Sequence, residues 1–124
     1  MAMRMVAPLE VGICCSDLDR LAEFYIEVLG CEAISTIEVP AAKAREAALS
    51  SDSYRVIRLQ TPRGERIKLL QPSAAPKSRE ESEWLLASRN AVYLTFIVDD
   101  LDAILAEAQA IVNAALAPAK EIAR

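Results

Sequence analysis

The sequence predicts a mixed α+β domain assembled from two related β-α-β modules. Three observations carry this prediction. A strand-to-helix junction occurs twice, a stretch of period-2 alternation folds back about a Pro/Gly turn, and an apolar stripe at helical spacing lies between them.

The repeat comes first in chain order. Residues 9–15 are apolar and β-prone, and they run into Ser16-Asp17-Leu18-Asp19. Residues 91–98 do the same and run into Asp99-Asp100-Leu101-Asp102, so that Asp17 falls on Asp100, 83 residues on. Each junction reads as a strand followed by a capped helix. Ser16 and Asp99 are the expected N-caps, and the flanking aspartates suit the positive end of a helix dipole. The same offset lays Glu10 on Tyr93, one polar side chain from each strand at equal depth.

The first helix, over 17–29, places Leu18, Leu21, Ala22, Tyr25 and Leu29 on one face, and Gly30 stops it. Residues 31–39 alternate Cys31, Ala33, Ser35, Ile37, Val39 against Glu32, Ile34, Thr36, Glu38, which predicts a second strand ended by Pro40. Residues 41–53 predict a surface helical turn or a loop. Residues 54–60 and 66–71 predict two strands joined by the tight turn Thr61-Pro62-Arg63-Gly64, completing a β-α-β-β-β module. Arg55 and Arg58 lie an odd number of residues apart, so they take opposite faces of the third strand and one of them can enter a site.

Module one thus spans about 9–72, a solvated linker about 73–90, and a partial second module about 91–124, all within one domain. Trp84-Leu85-Leu86 is the one apolar spot of the linker. Leu101, Ile104, Leu105 and Ala108 give the second helix its stripe. The repeat predicts a strand near 114–117, whereas Ala115-Leu116-Ala117 and Ala119–Ala123 favour helix, split by Pro118. A counterpart of hairpin 54–71 is not present in the sequence, so the second module is expected to be incomplete.

Composition narrows the chemistry. Formal net charge is −4 with scattered basic residues, which argues against a nucleic-acid partner. The absence of histidine removes the commonest general base and the commonest metal ligand together. Cys14, Cys15 and Cys31 do not form a disulfide framework. They read as small buried hydrophobes in a reducing compartment, with Cys15, just before a helix, as the alternative reactive thiol. No apolar run approaches the roughly 20 residues of a membrane span, so the expectation is a cytoplasmic protein without a membrane partner.

The residues resemble the vicinal oxygen chelate superfamily, which includes glyoxalase I, extradiol dioxygenases and bleomycin-resistance proteins. The resemblance rests on Glu10-Val11-Gly12-Ile13 with Ser16-Asp17-Leu18-Asp19, Phe24-Tyr25 through Val28-Leu29-Gly30-Cys31, Thr61–Gly64 with Ile67–Leu70, and Leu94–Asp102. It implies paired βαβββ modules forming an open, cup-like mixed sheet with a site inside the cup. Metal-dependent members usually carry a histidine on the first strand, a glutamate on the fourth and a histidine opening the second module. Those positions are Glu10, Lys68 and Tyr93 in this chain. One carboxylate, one ammonium and one phenol make a poor divalent-metal site, because the lysine repels a cation. No metal and no other cofactor is therefore expected.

The resemblance brings Glu10 and Lys68 together. They form either a polar floor, where Lys68 holds an anion or Glu10 an amine, or an internal ion pair filling the metal position. Tyr93 either donates to a ligand or packs its ring, and Arg58 is the candidate arginine for the pocket. The leading expectation is a metal-independent small-molecule binding protein of the glyoxalase/bleomycin-resistance type, acting in sequestration or sensing. A lyase or isomerase with Glu10 as base is the alternative, and a degenerate dimerisation module is a further one. Unpaired sheet edge and apolar helix surface predict a homodimer.

Overall fold

A computed structural model describes residues 1–78, 84–89 and 92–123, with side chains as far as residue 113. Four strands form one sheet: β1 (Glu10–Cys14), β2 (Glu32–Val39), β3 (Tyr54–Gln60) and β4 (Arg66–Pro72). Helix α1 (Leu18–Glu27) follows β1, and the short α2 (Ala41–Glu46) links β2 to β3. Leu85–Ala87 form a single 3₁₀ turn, and α3 spans Leu101–Ala123.

The sheet order is β1-β4-β3-β2. The β3–β4 hairpin is antiparallel, with Thr61 and Gly64 closing its turn through Gly64 N–H to Thr61 C=O at 3.0 Å. β1 then lies parallel to β4, a pairing that needs the α1 crossover and the two intervening strands. First and fourth strands are thereby neighbours, Gly12 beside Lys68.

Alternation sorts the side chains to two faces. One face buries Ile57, Leu59, Ile67 and Leu69 against Leu18 and Ala22 of α1, with Cys31 at its rim. Leu18, Leu59 and Leu69 are fully enclosed, and Leu21, Tyr25, Ile26 and Leu29 pack around them. This is the core that the α1 stripe predicts. The opposite face is not covered by α1 and carries hollows over Glu10, Arg58 and Lys68.

Several local expectations change. The α1 cap is Asp17, not Ser16: its Oδ1 accepts from Arg20 N–H at 3.2 Å. Asp100 plays the same part for α3, accepting from Ala103 N–H at 3.1 Å, so Asp99 is not the cap. The repeat in sequence is thus a repeat of the cap itself. β2 contains an irregularity between Ala33 and Ser35. Ala33 lies opposite Leu59 on the helix side, whereas Ser35 lies opposite Arg58 on the open side. The single alternating set expected over 31–39 is therefore divided between the two faces, as a bulge requires.

Residues 92–98 are not a strand, and their side chains are exposed. An alternating apolar pattern encodes a face to bury, but a strand also needs a hydrogen-bonded neighbour, and none pairs with this segment among the described residues. Ala91 lies outside the described residues. Beyond 111 the backbone stays helical through 114–117, where local propensity prevails over the repeat, and it continues through Pro118, which does not split the helix as expected.

Candidate functional site

The open face is where the polar side chains of β1, β3 and β4 converge. Glu10 opens β1, Lys68 sits in the middle of β4, and Arg58 lies directly opposite Lys68 on β3. Arg58 donates from Nη2 to Glu10 Oε1. Lys68 Nζ stands 3.8 Å from Glu10 Oε2. Both oxygens of one carboxylate therefore face a cation. Glu10 is the most enclosed member at 20% side-chain exposure, while Arg58 and Lys68 are each 38% exposed.

Gly12 lies beside this cluster. A Cβ built there would make an ordinary contact with Lys68 Cε at 3.6 Å and a tight one with Leu70 Cδ1 at 3.2 Å.

Around the charged floor the walls are apolar. Ile37 and Val39 of β2, Tyr54 and Val56 of β3, and Leu70 of β4 close a hollow of about 170 Å³ over Glu10, Arg58 and Lys68. A second hollow of about 250 Å³ adjoins it, sharing Tyr54, Lys68 and Leu70 and bounded by Cys14, Leu49 and Ser50. Sequence reasoning passed over Tyr54, although its even spacing from Arg58 along β3 assigns both to one face. The odd spacing of Arg55 has the converse result: it crosses to the helix side and pairs with Asp19 at 3.5 Å.

Tyr93 is not gathered into this floor. It lines a separate depression with Val11, Ile13 and Phe24, beside β1, and is 65% exposed. Glu10, Lys68 and Arg58 are thus brought together, and Tyr93 stands apart from them.

The cysteines differ from one another. All three are free thiols. Cys31 is buried as expected, and burial pushes its thiol above the ordinary value. Cys15 is partly buried, hydrogen-bonds through Sγ to the Leu70 carbonyl at 3.5 Å, and is also shifted upward by desolvation. That shift opposes the reactive-thiolate alternative for Cys15. Cys14 is exposed on the open face, contrary to the expectation of a buried hydrophobe. Its strand neighbours alternate in burial, so one of two adjacent cysteines must point away from the core.

The donor set does not suit a divalent cation. Among the described residues, no three His, Cys, Asp or Glu side chains come together that could hold a metal ion. Glu10, the one carboxylate of the cluster, is already matched to a guanidinium and an ammonium, and a cation entering there would meet two like charges.

An open mixed sheet, helix-covered on one face and carrying a charged floor on the other, is the architecture of the glyoxalase-type module. The chain belongs to the glyoxalase/bleomycin resistance protein/dioxygenase superfamily, whose pattern it matches over residues 10–120. This is the vicinal oxygen chelate superfamily that its motifs resemble. Its fold is similar to that of a glyoxalase family protein from Bacillus cereus, known from a crystal structure. The TM-score is 0.65 at 22% identity, over 87% of this chain and 73% of that one. Among curated proteins none matches the chain in sequence. No helix among the described residues is long and apolar enough to cross a membrane.

Proposed function

We propose that this protein is a metal-independent small-molecule binder of the glyoxalase/bleomycin-resistance type, acting by sequestration or sensing on the open face of its sheet. The observation that carries this reading is the Glu10–Arg58–Lys68 cluster. Glu10 and Lys68 stand at the first-strand and fourth-strand positions that the resemblance implies for metal ligands, Arg58 joins them from β3, and apolar walls surround the cluster. A charged floor with apolar walls fixes orientation through a few polar groups and draws affinity from the rest. Binding is favoured over proton transfer because both oxygens of Glu10 face cations, which leaves no lone carboxylate poised as a base.

The protein is further proposed to work as a homodimer in the cytoplasm. Leu101, Leu105 and Val112 share one face of α3 and are exposed in the single chain. The three unbridged thiols fit a reducing compartment.

Equilibrium dialysis against a mixed pool of small organic acids, amines and neutral aromatics, read by mass spectrometry, tests the binding reading. At least one compound should be retained stoichiometrically and released by Lys68→Met. Calorimetric titration with zinc, nickel, manganese and iron(II) should give no one-to-one site. Retention of nothing, or a tight metal site lost in Glu10→Gln, would refute the proposal.

A further inference from the structure

We infer that the hollow over Glu10, Arg58 and Lys68 receives the head of a small monocarboxylate bearing a compact apolar body. This inference rests on the small-molecule reading above and names its ligand class.

The cluster holds two cations and one anion, and Arg66, the register partner of Glu10, stands on the same face of β4 as Lys68, in a chain whose net charge is −4. The floor therefore opposes the sign of the whole molecule and suits an anionic head.

Arg58 and Lys68 are direct partners across the antiparallel β3–β4 pair. Like charges directly opposite on a sheet destabilise it. Glu10 offsets one of them, and a second carboxylate would offset the other. The cations are also the accessible members: each is 38% exposed, against 20% for Glu10. A solute entering the hollow meets the guanidinium and ammonium first, while the recessed carboxylate is already engaged. This decides between the two ligand chemistries that the residue types leave open, an anion on Lys68 or an amine on Glu10.

Ile37, Val39, Val56 and Leu70 supply the apolar walls, and the space of about 170 Å³ excludes a large ligand from the floor itself.

Three matched probes separate the possibilities: 3-phenylpropionate, 3-phenylpropionamide and 3-phenylpropylamine, titrated calorimetrically into the intact chain at low ionic strength. The acid should bind one-to-one, with the amide and the amine each weaker by at least about tenfold, equal to about 1.4 kcal/mol. Arg58→Met and Lys68→Met should each weaken the acid by a similar factor. Arg55→Met, which removes the same charge from the other face of the same strand, should bind as the wild type does. If either cluster variant fails to fold by circular dichroism, the acid–amide–amine comparison on the wild type still decides.

An amide or amine that binds as tightly as the acid would overturn the monocarboxylate assignment and leave the small-molecule reading standing. So would failure of all three probes on protein that retains some other compound in dialysis. Failure of all three on protein that retains nothing would overturn both.

Discussion

Replacing Glu10 by Gln tests whether the open-face cluster is a coupled unit. Gln preserves the shape of the side chain and removes its charge, so packing is held while two ion pairs are lost. At 3.8 Å the Glu10–Lys68 attraction is about 4 kcal/mol gross at an effective dielectric near 20 and about 1 kcal/mol in bulk water. Lys68 is more than a third exposed, so the net value sits near the water limit, about 0.5–1 kcal/mol. The Arg58 contact is closer and charge-assisted, and it shares the more enclosed end of the cluster. Glu10→Gln loses both and leaves two cations facing each other across β3–β4, at an expected total cost of roughly 1–3 kcal/mol. Lys68→Met alone should cost only about 0.5–1 kcal/mol, because Arg58 still holds the carboxylate. The double variant should be no less stable than Glu10→Gln alone, since removing Lys68 then removes a repulsion. Urea unfolding is the assay, because guanidinium salt would screen the charges under study. Additivity of the two single effects within about 0.5 kcal/mol would refute the coupled cluster. So would a Lys68→Met variant as unstable as Glu10→Gln.

Other outcomes follow from single sites. Ala48 holds φ of +57°, in the left-handed region just past α2, so Ala48→Gly should stabilise the protein by about 1 kcal/mol in the same urea assay. Unchanged or lower stability would argue against that backbone conformation. Alkylation with iodoacetamide followed by mass spectrometry should label Cys14 first, since Cys15 and Cys31 are shielded and their thiols are shifted upward by burial. Folding thus favours the protonated thiols. The stability they contribute is present below the unfolded thiol value of 9.0 and is lost as pH rises through the higher folded values, so alkaline pH should destabilise the protein. A Cys15→Ala/Cys31→Ala variant with the same alkaline slope would refute this. Light scattering after size exclusion at micromolar concentration should give the mass of two chains, and Leu105→Glu on the exposed face of α3 should reduce it to one. A clean single-chain mass for the wild type would end the homodimer proposal.

The parts of the fold legible in sequence are those decided by local chemistry. β3, β4 and their turn were readable because alternation, Pro62 and Gly64 all point the same way, and the structure bounds β3 at Tyr54–Gln60 as the pattern does. The α1 stripe was readable because its apolar positions recur at helical spacing. What was not legible depends on partners far away in the chain. Ser16 is as good a cap as Asp17 in isolation. The choice is made by which residue leaves strand geometry, and that is set where β1 stops pairing with β4. The irregularity at 33–35 is invisible in an unbroken alternation, because it is β3 that defines which residue lies opposite which. Residues 92–98 show the same limit in its plainest form: seven residues with strand chemistry, and no ladder beside them among the described residues.

The candidate site divides along the same line. Residue types and the family resemblance name Glu10 and Lys68, and their neighbouring strands bring them together. Neither could show that Arg58 also reaches Glu10, because odd spacing assigns two arginines to two faces without saying which face is open. That third side chain changes the chemistry of the other two. With Lys68 alone, Glu10 would be half of a neutral pair, self-sufficient and indifferent to charged ligands. With Arg58 added, the pair becomes a triad with one positive charge to spare, on the face opposite α1. Of the positions that the resemblance implies for metal ligands, Lys68 is itself a cation, and Arg58 adds a second beside it. The electrostatic balance of the triad therefore supports the proposed reading, in which the open face takes an anion rather than a metal.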